Sequence, residues 1–187
     1  DLLNQLILRS QSQAKYYNVN NGHFGLGLLN YVHFTSPIRR YADLLIHRKL
    51  NSIINNQNPI KQFSNDDLKV ICDHISATER KGIAAERKTF DRFSTYIYSQ
   101  KINMKFDGRI ISITKFGIFV KFDNGLVEGL ILRKHLPKDY YVYDFKKQTL
   151  KGKNNKLFFE LGKKIKVTIK ETDLFNGKIL LNFINSS

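Results

Sequence analysis

The feature that most constrains this chain is a change of period near residue 100. Before it, apolar residues recur at helical spacing; after it, they alternate in short runs broken by Asp123-Asn124-Gly125 and Asn176-Gly177. Both breaks supply the residues that tight hairpin turns need, so the second part reads as strands and turns. The strands expected are 105–113, 117–122, 126–132, 164–171 and 178–184. Five short strands in so short a stretch suggest a small closed barrel of the OB type. Residues 135–160 then form an excursion between two strands. The expected fold class is α+β, a mostly helical part over 1–100 followed by a five-stranded OB-fold β-barrel over 101–187.

Within the first part, helices are expected over 2–16, from Ser36-Pro37 to about Ile54, and over 64–98. Ser36 is a good N-cap and Pro37 a good first helical residue. Ile38, Tyr41, Ala42, Leu45, Ile46, Leu50 and Ile53 then follow one helical stripe. Ser64-x-x-Asp67 and Ser76-x-x-Glu79 both resemble capping boxes, which suggests two helices meeting near His74 to Ser76. His23 to Leu29 alternates Phe24, Leu26 and Leu28 with Gly25 and Gly27, as a strand with one bare face would. A loop with Pro59 separates the helical stretches, and Cys72, beside Leu68 and Ile75, belongs to a core face.

Charge narrows the partners. The 187 residues carry 31 Lys and Arg against 16 Asp and Glu, a net charge of +15. The first hundred residues contribute +5 and the remainder +10, so the smaller module is the more basic. Such an excess fits a phosphate backbone, although solubility alone also uses charge. The longest apolar runs are far too short to span a bilayer, and DLLNQLILRS lacks the marks of a signal peptide. The single cysteine, Cys72, permits no disulfide within one chain, so a reducing cytoplasmic compartment is expected. Asp1 opens directly into an apolar-periodic stretch, as an internal boundary would.

The candidate chemistry starts at Thr35-Ser36-Pro37-Ile38-Arg39-Arg40. A helix start offers free N–H groups, two arginines add planar donors, and the hydroxyls of Thr35 and Ser36 add more. That is a plausible phosphate cradle; two arginines on a solvated helix surface would have the same sequence. His23, His33 and His47 are expected to make hydrogen bonds rather than do chemistry, since no histidine has a partner at ligand spacing.

The segment GHFGLGLLNYVHFTSPIRRYADLLIHRKL closely resembles the end of the RNB catalytic domain of the RNase II and RNase R exoribonuclease family. LILRSQSQAKY before it and ERKGIAAERKTFDRF after it resemble flanking helices of that family. FDGRI, KFGIFV, EGL and NGKILLN resemble an S1-type RNA-binding module. The resemblance implies a processive hydrolytic 3′→5′ exoribonuclease that releases nucleoside 5′-monophosphates; single-stranded RNA is the expected partner of this chain, and a monomer is expected. It implies that Arg39 contacts phosphate beside the scissile bond and that Glu86 lies near the end of the bound RNA. It also implies magnesium, held by a D-x-x-x-x-x-D-x-D-D element, and no such element occurs here; Asp66-Asp67 sit at a helix start, where capping explains them. The chain alone is therefore expected to bind RNA without cutting it. The alternative is a non-catalytic RNA-binding module from a split or decayed gene; a further one is a related fold that binds another anion or a protein.

In S1-type modules two aromatics stack bases, and the resemblance puts Phe116 and Phe119 in that role. Alternation places Phe119 on one face of its strand and Ile118 and Val120 on the other. Filling the barrel core is the competing role for either ring. Arg109, Lys115, Lys121, Arg133, Lys134 and Lys178 could line the same groove. A histidine common in such modules is Leu132 here, followed by Arg133-Lys134, which shifts the surface toward phosphate contact. Tyr140, Tyr141 and Tyr143 in the excursion carry no assignment.

Overall fold

The computed structural model describes residues 4, 7, 8, 10–56 and 63–185 and divides into two compact units. One unit is 11–84; the other is 85–187 together with 1–10. Among the described residues no helix is long and apolar enough to cross a membrane.

The 11–84 unit contains α1 (Tyr41–Ile54) and the first part of α2 (Asn65–Ser99). The helix expected over 2–16 has ended by residue 11, and part of it lies outside the described residues. Ser10 supplies a reason, because its hydroxyl donates to the Ile7 carbonyl at 2.7 Å and competes with the next helical bond. The expected strand at His23 to Leu29 is instead a tight turn. Phe24–Leu26 form a single 3-10 turn, His23 Nδ1 accepts the Leu26 N–H, and Gly27 closes the turn at φ 65°, which a side chain would resist. The loop around Pro59 lies outside the described residues.

Two cap expectations are also corrected. α1 begins at Tyr41 rather than at Pro37, because Ser36 to Arg40 close into a separate turn. α2 is one continuous helix of 35 residues, not two. The Ser64–Asp67 box does form, with Asp67 N–H on Ser64 Oγ at 3.1 Å and Ser64 N–H on Asp67 Oδ2 at 3.0 Å. Ser76 caps nothing: it is buried in mid-helix, and its Oγ accepts the Tyr16 N–H at 3.0 Å. Cys72 is half-buried, and burial pushes its thiol pKa up.

The other unit is the expected barrel. Its strands are β1 (Lys105–Thr114), β2 (Gly117–Phe122), β3 (Val127–Leu132), β7 (Lys164–Asp173) and β8 (Lys178–Ile184), closed in the order β1-β2-β3-β8-β7. All neighbours are antiparallel except β3 and β8, which meet in parallel at Leu130 and Leu180. Extra residues between Ile110 and Ser112 and between Ile169 and Glu171 bulge two strands, which adds the curvature that closure needs. Asp123, Asn124 and Gly125 all take positive φ in the β2–β3 turn, as their sequence demands. At Gly117 a Cβ would run into the Ile131 carbonyl, so only glycine lets β2 and β3 approach there.

Alternation fills the barrel. Ile110, Ile118, Val120, Ile131, Val167, Ile169 and Leu181 are fully buried. The excursion has a fold of its own: a 3-10 turn (Arg133–His135), then β4 (Tyr141–Asp144), β5 (Thr149–Gly152) and β6 (Phe158–Phe159) in a three-stranded sheet. Tyr141, Leu150 and Phe159 anchor it by joining the barrel's core. The last turn of α2 joins the core as well, with Tyr98 edge-on to Phe106 and Phe122 at 5.9 and 5.4 Å. Its hydroxyl donates to Asp123 Oδ2; burial first, then that bond and the Asp123 charge, push the Tyr98 pKa up to about 12.

Candidate nucleic-acid interface

The candidate residues fall into two sets, one in each unit. The first is the turn from Ser36 to Arg40. Its geometry is fixed from inside by Asp43, in the first turn of α1 and completely buried. Asp43 Oδ2 accepts the Ser36 N–H at 2.8 Å and the Arg40 guanidinium at 3.0 Å. The Ser36 carbonyl in turn accepts the N–H groups of Arg39 and Arg40 at 3.3 and 3.0 Å. Burial alone would raise the Asp43 pKa; the Ser36 N–H and the Arg40 cation outweigh it and hold the carboxyl below its usual value.

The two arginines therefore differ in role. Arg40 is half-buried and spent on Asp43, so it positions the turn rather than presenting a free fork. Arg39 is exposed, and its side chain makes no hydrogen bond or ion pair among the described residues, which leaves its guanidinium available to a phosphate. Thr35 is exposed beside it, and Ser36 is half-buried.

Behind the turn lies a cluster that sequence reading missed. The Tyr16 hydroxyl and His33 Nδ1 are hydrogen-bonded at 3.0 Å. Tyr16, His33, Tyr31 and His23 then meet edge to face at centroid separations of 5.4, 5.5 and 4.9 Å. Burial chiefly, and Glu79 next, push the Tyr16 pKa up. His47 stacks on Phe34 at 4.2 Å and bonds its carbonyl through Nε2 at 2.8 Å. The three histidines are thus partnered within the fold. The signal for Asp43 was in the sequence, as a carboxylate three residues after Arg40 at a helix start; the rings, distant in sequence, had none.

The second set lies on the outside of the barrel. Phe119 faces outward from β2 while Ile118 and Val120 face the core. Phe116, in the β1–β2 turn, is 68% exposed, which removes it from the core, and the Lys115 ammonium stands 4.9 Å from its centroid. Across the strands, Phe119 sits opposite Ser112 on one side and Leu130 on the other. Two residues along β2 runs a basic row, in which Lys121 pairs with Arg109 and Arg109 with Lys164. Like charges placed directly opposite repel; among the described residues Lys121 alone of this row has a counter-charge, Glu128 at 3.7 Å, which Arg87 shares at the same distance. Arg87, Lys121 and Glu128 also edge a cleft of about 330 Å³ between α2 and the barrel, floored by Thr95 and Ile179. Lys164 is a member of this row that sequence reading passed over.

The remaining candidates scatter. Lys134 is exposed in the 3-10 turn, and Lys178 is exposed at the start of β8. Arg133 is half-buried, with its backbone N–H on the Phe116 carbonyl at 3.0 Å and its guanidinium on the Tyr141 carbonyl. Glu86 is exposed on α2, in the barrel's unit, whereas Arg39 belongs to the other. No group of three or more His, Cys, Asp or Glu that could hold a metal ion occurs among the described residues.

Comparison with known proteins matches these segments separately. Residues 1–56 match the RNB domain and residues 99–183 the S1 RNA binding domain. Ribonuclease R 1 of Lactococcus lactis is 36% identical over 99% of this chain and 23% of its own length. Ribonuclease R of Escherichia coli is 32% identical over the whole chain and 24% of its own length. The chain thus spans about a quarter of the length of these relatives. Among solved structures, Mycoplasma genitalium RNase R in complex with ribose methylated single-stranded RNA aligns with a TM-score of 0.87 and 33% identity, over 98% of this chain and 29% of that one.

Proposed function

We propose that this chain, which belongs to the RNB exoribonuclease family and carries an S1 domain after its RNB segment, works as the RNA-holding C-terminal part of a processive 3′→5′ exoribonuclease. The RNB part is read as 1–100 and the S1 part as 101–187, a reading supported by the end of α2 at Ser99 and the start of β1 at Lys105. The substrate is single-stranded RNA and the products are nucleoside 5′-monophosphates. The observation that carries the reading is the division of labour in the SPIRR turn. Asp43 and Arg40 lock the backbone, and Arg39 is left free on a rigid base. A preorganised planar cation of this kind stabilises charge that develops on phosphoryl oxygens. Thr35 and Ser36 add hydroxyl donors beside it, and Glu86 borders the RNA end. On the barrel, Phe116 and Phe119 stack bases, while Arg109, Lys115, Lys121, Arg133, Lys134 and Lys178 meet phosphates.

The family implies magnesium at the scissile phosphate. The residues described here do not form a site for it, since no carboxylate cluster is among them. No catalytic step is therefore assigned to a metal in this chain. The second reading is an RNA-binding module without nuclease activity. The single cysteine, half-buried, fits a reducing cytoplasmic compartment, and the protein is proposed to act as a monomer.

The test is a nuclease assay on the natural gene product that contains this chain, with 5′-labelled single-stranded RNA and magnesium. Shortening from the 3′ end with release of mononucleotides supports the exoribonuclease reading, and Arg39→Ala should then cost roughly 10²- to 10³-fold in turnover. Binding without cleavage establishes the module reading instead. In either case RNA affinity should fall by about 10³ or more between 50 and 200 mM salt.

A further inference from the structure

The excursion carries three tyrosines in four residues, and the fold gives them different surroundings. Tyr141 is 3% exposed, and its hydroxyl donates to the Pro137 carbonyl. Tyr143 is half-buried, with its hydroxyl on the Ile113 carbonyl at 3.1 Å. Both rings hold the small sheet to the barrel. Tyr140 does neither: it is 65% exposed, and its hydroxyl makes no hydrogen bond among the described residues.

Yet Tyr140 is rigidly mounted. Its N–H donates to Asp139 Oδ1 at 2.7 Å, and its carbonyl accepts the Lys153 N–H at 2.9 Å. Asp139 is itself clamped by the N–H groups of Asn154 and Asn155 at 2.9 and 2.7 Å. The Arg133 guanidinium stands 5.8 Å from the Tyr140 centroid, kept there by its bond to the Tyr141 carbonyl. Arg133 is also the residue whose backbone N–H reaches the Phe116 carbonyl. Arg133 thus meets the Phe116 backbone through its own backbone and the Tyr140 ring through its side chain, and each ring is exposed with a cation beside it. A free ring on a fixed backbone loses little entropy on stacking, and a guanidinium with donors to spare can hold the phosphate of the base it accompanies.

We propose that Tyr140, with Arg133, is a further nucleobase-stacking position, which extends the RNA path from the barrel face onto the three-stranded excursion. The inference rests on the RNA-binding reading above. Its ligand is any base of a single strand, because every base offers a π-face and the ring lies open.

The test measures binding of the 187-residue chain to a fluorescent single-stranded oligoadenylate and to a base-free ribose-phosphate oligomer of equal length. Tyr140→Leu should weaken oligoadenylate binding roughly five- to a hundredfold and leave the base-free oligomer unaffected, while Tyr140→Phe keeps full affinity. Unchanged oligoadenylate binding by Tyr140→Leu overturns the proposal, as does an equal loss on both polymers. If Phe116→Ala weakens binding and Tyr140→Leu does not, this inference alone falls. A wild-type chain that binds neither polymer removes the RNA-binding reading and this one with it.

Discussion

The barrel and the 11–84 unit are built on opposite principles. In the barrel's unit the buried side chains are mostly aliphatic and aromatic, with eight of them, from Ile110 to Leu181, at 0% exposure. Among the described residues of 11–84 the buried ones are Asp43 and Ser76, both polar, while Phe24, Leu29 and Ile38 are exposed at 92%, 86% and 102%. The barrel makes its own core. The other unit is held by specific polar contacts around a turn and leaves apolar surface uncovered. Hydrophobic burial is the dominant folding term, so the barrel should hold most of the stability, whereas the 11–84 unit invests in geometry at the SPIRR turn.

Hydrogen exchange is the sharpest way to break that comparison. Amides of Val120, Ile131 and Val167 should exchange only through global opening, which for a domain costs about 5–15 kcal/mol, whereas amides of residues 20–35 should open at close to no cost. Equal protection in both regions would abolish the contrast. Core truncation comes next. Phe122→Ala removes a ring 1% exposed and should destabilise the barrel by roughly 3–5 kcal/mol in urea melts. A loss under 1 kcal/mol would mean that the core repacks.

Tyr98→Phe should cost about 1.5–3 kcal/mol by the same measurement, since it removes a buried hydroxyl bonded to a carboxylate. The Tyr98 pKa is raised in the folded state, so the contribution of that bond is complete below the ordinary tyrosine value and is lost as pH rises through about 12. A spectrophotometric titration that finds Tyr98 ionising with the exposed tyrosines would refute the bond. Asp43 has the opposite sign. Its folded pKa is lowered, so its stabilisation is present above the ordinary carboxylate value and is lost as pH falls through the lowered one. The Ser36 amide should lose protection in that acid range, and Asp43→Asn should remove the pH dependence. The smallest effect belongs to Phe24→Ala, at most ~0.5 kcal/mol for so exposed a ring; a core-sized loss would show that Phe24 is covered in solution.

Strand positions and the charge bias were legible because they are local. Alternation and turn residues set β2 and β8 to the residue, and the Asp123-Asn124-Gly125 turn forms as its chemistry requires. Cap reasoning succeeded at Ser64 and failed at Ser36 and Ser76, for one reason. Ser64 has its partner three residues away, whereas Ser36 answers to a buried carboxylate in the next helix and Ser76 to the backbone of Tyr16, sixty residues away. The glycine-rich stretch after His23 satisfied a period of two without being a strand, because Gly27 could take the positive φ that closes a turn.

By itself, then, the sequence determined the barrel, its closing turns, the basic surface and the motif that carries Arg39. Each follows from neighbours a few residues apart, where side-chain period and backbone preference act directly. Only the tertiary structure decided that Arg40 is spent on Asp43 while Arg39 is free, and that of three adjacent tyrosines only Tyr140 stands open beside a cation. Those outcomes depend on which side chain wins a buried place, a competition settled by residues far apart in the chain.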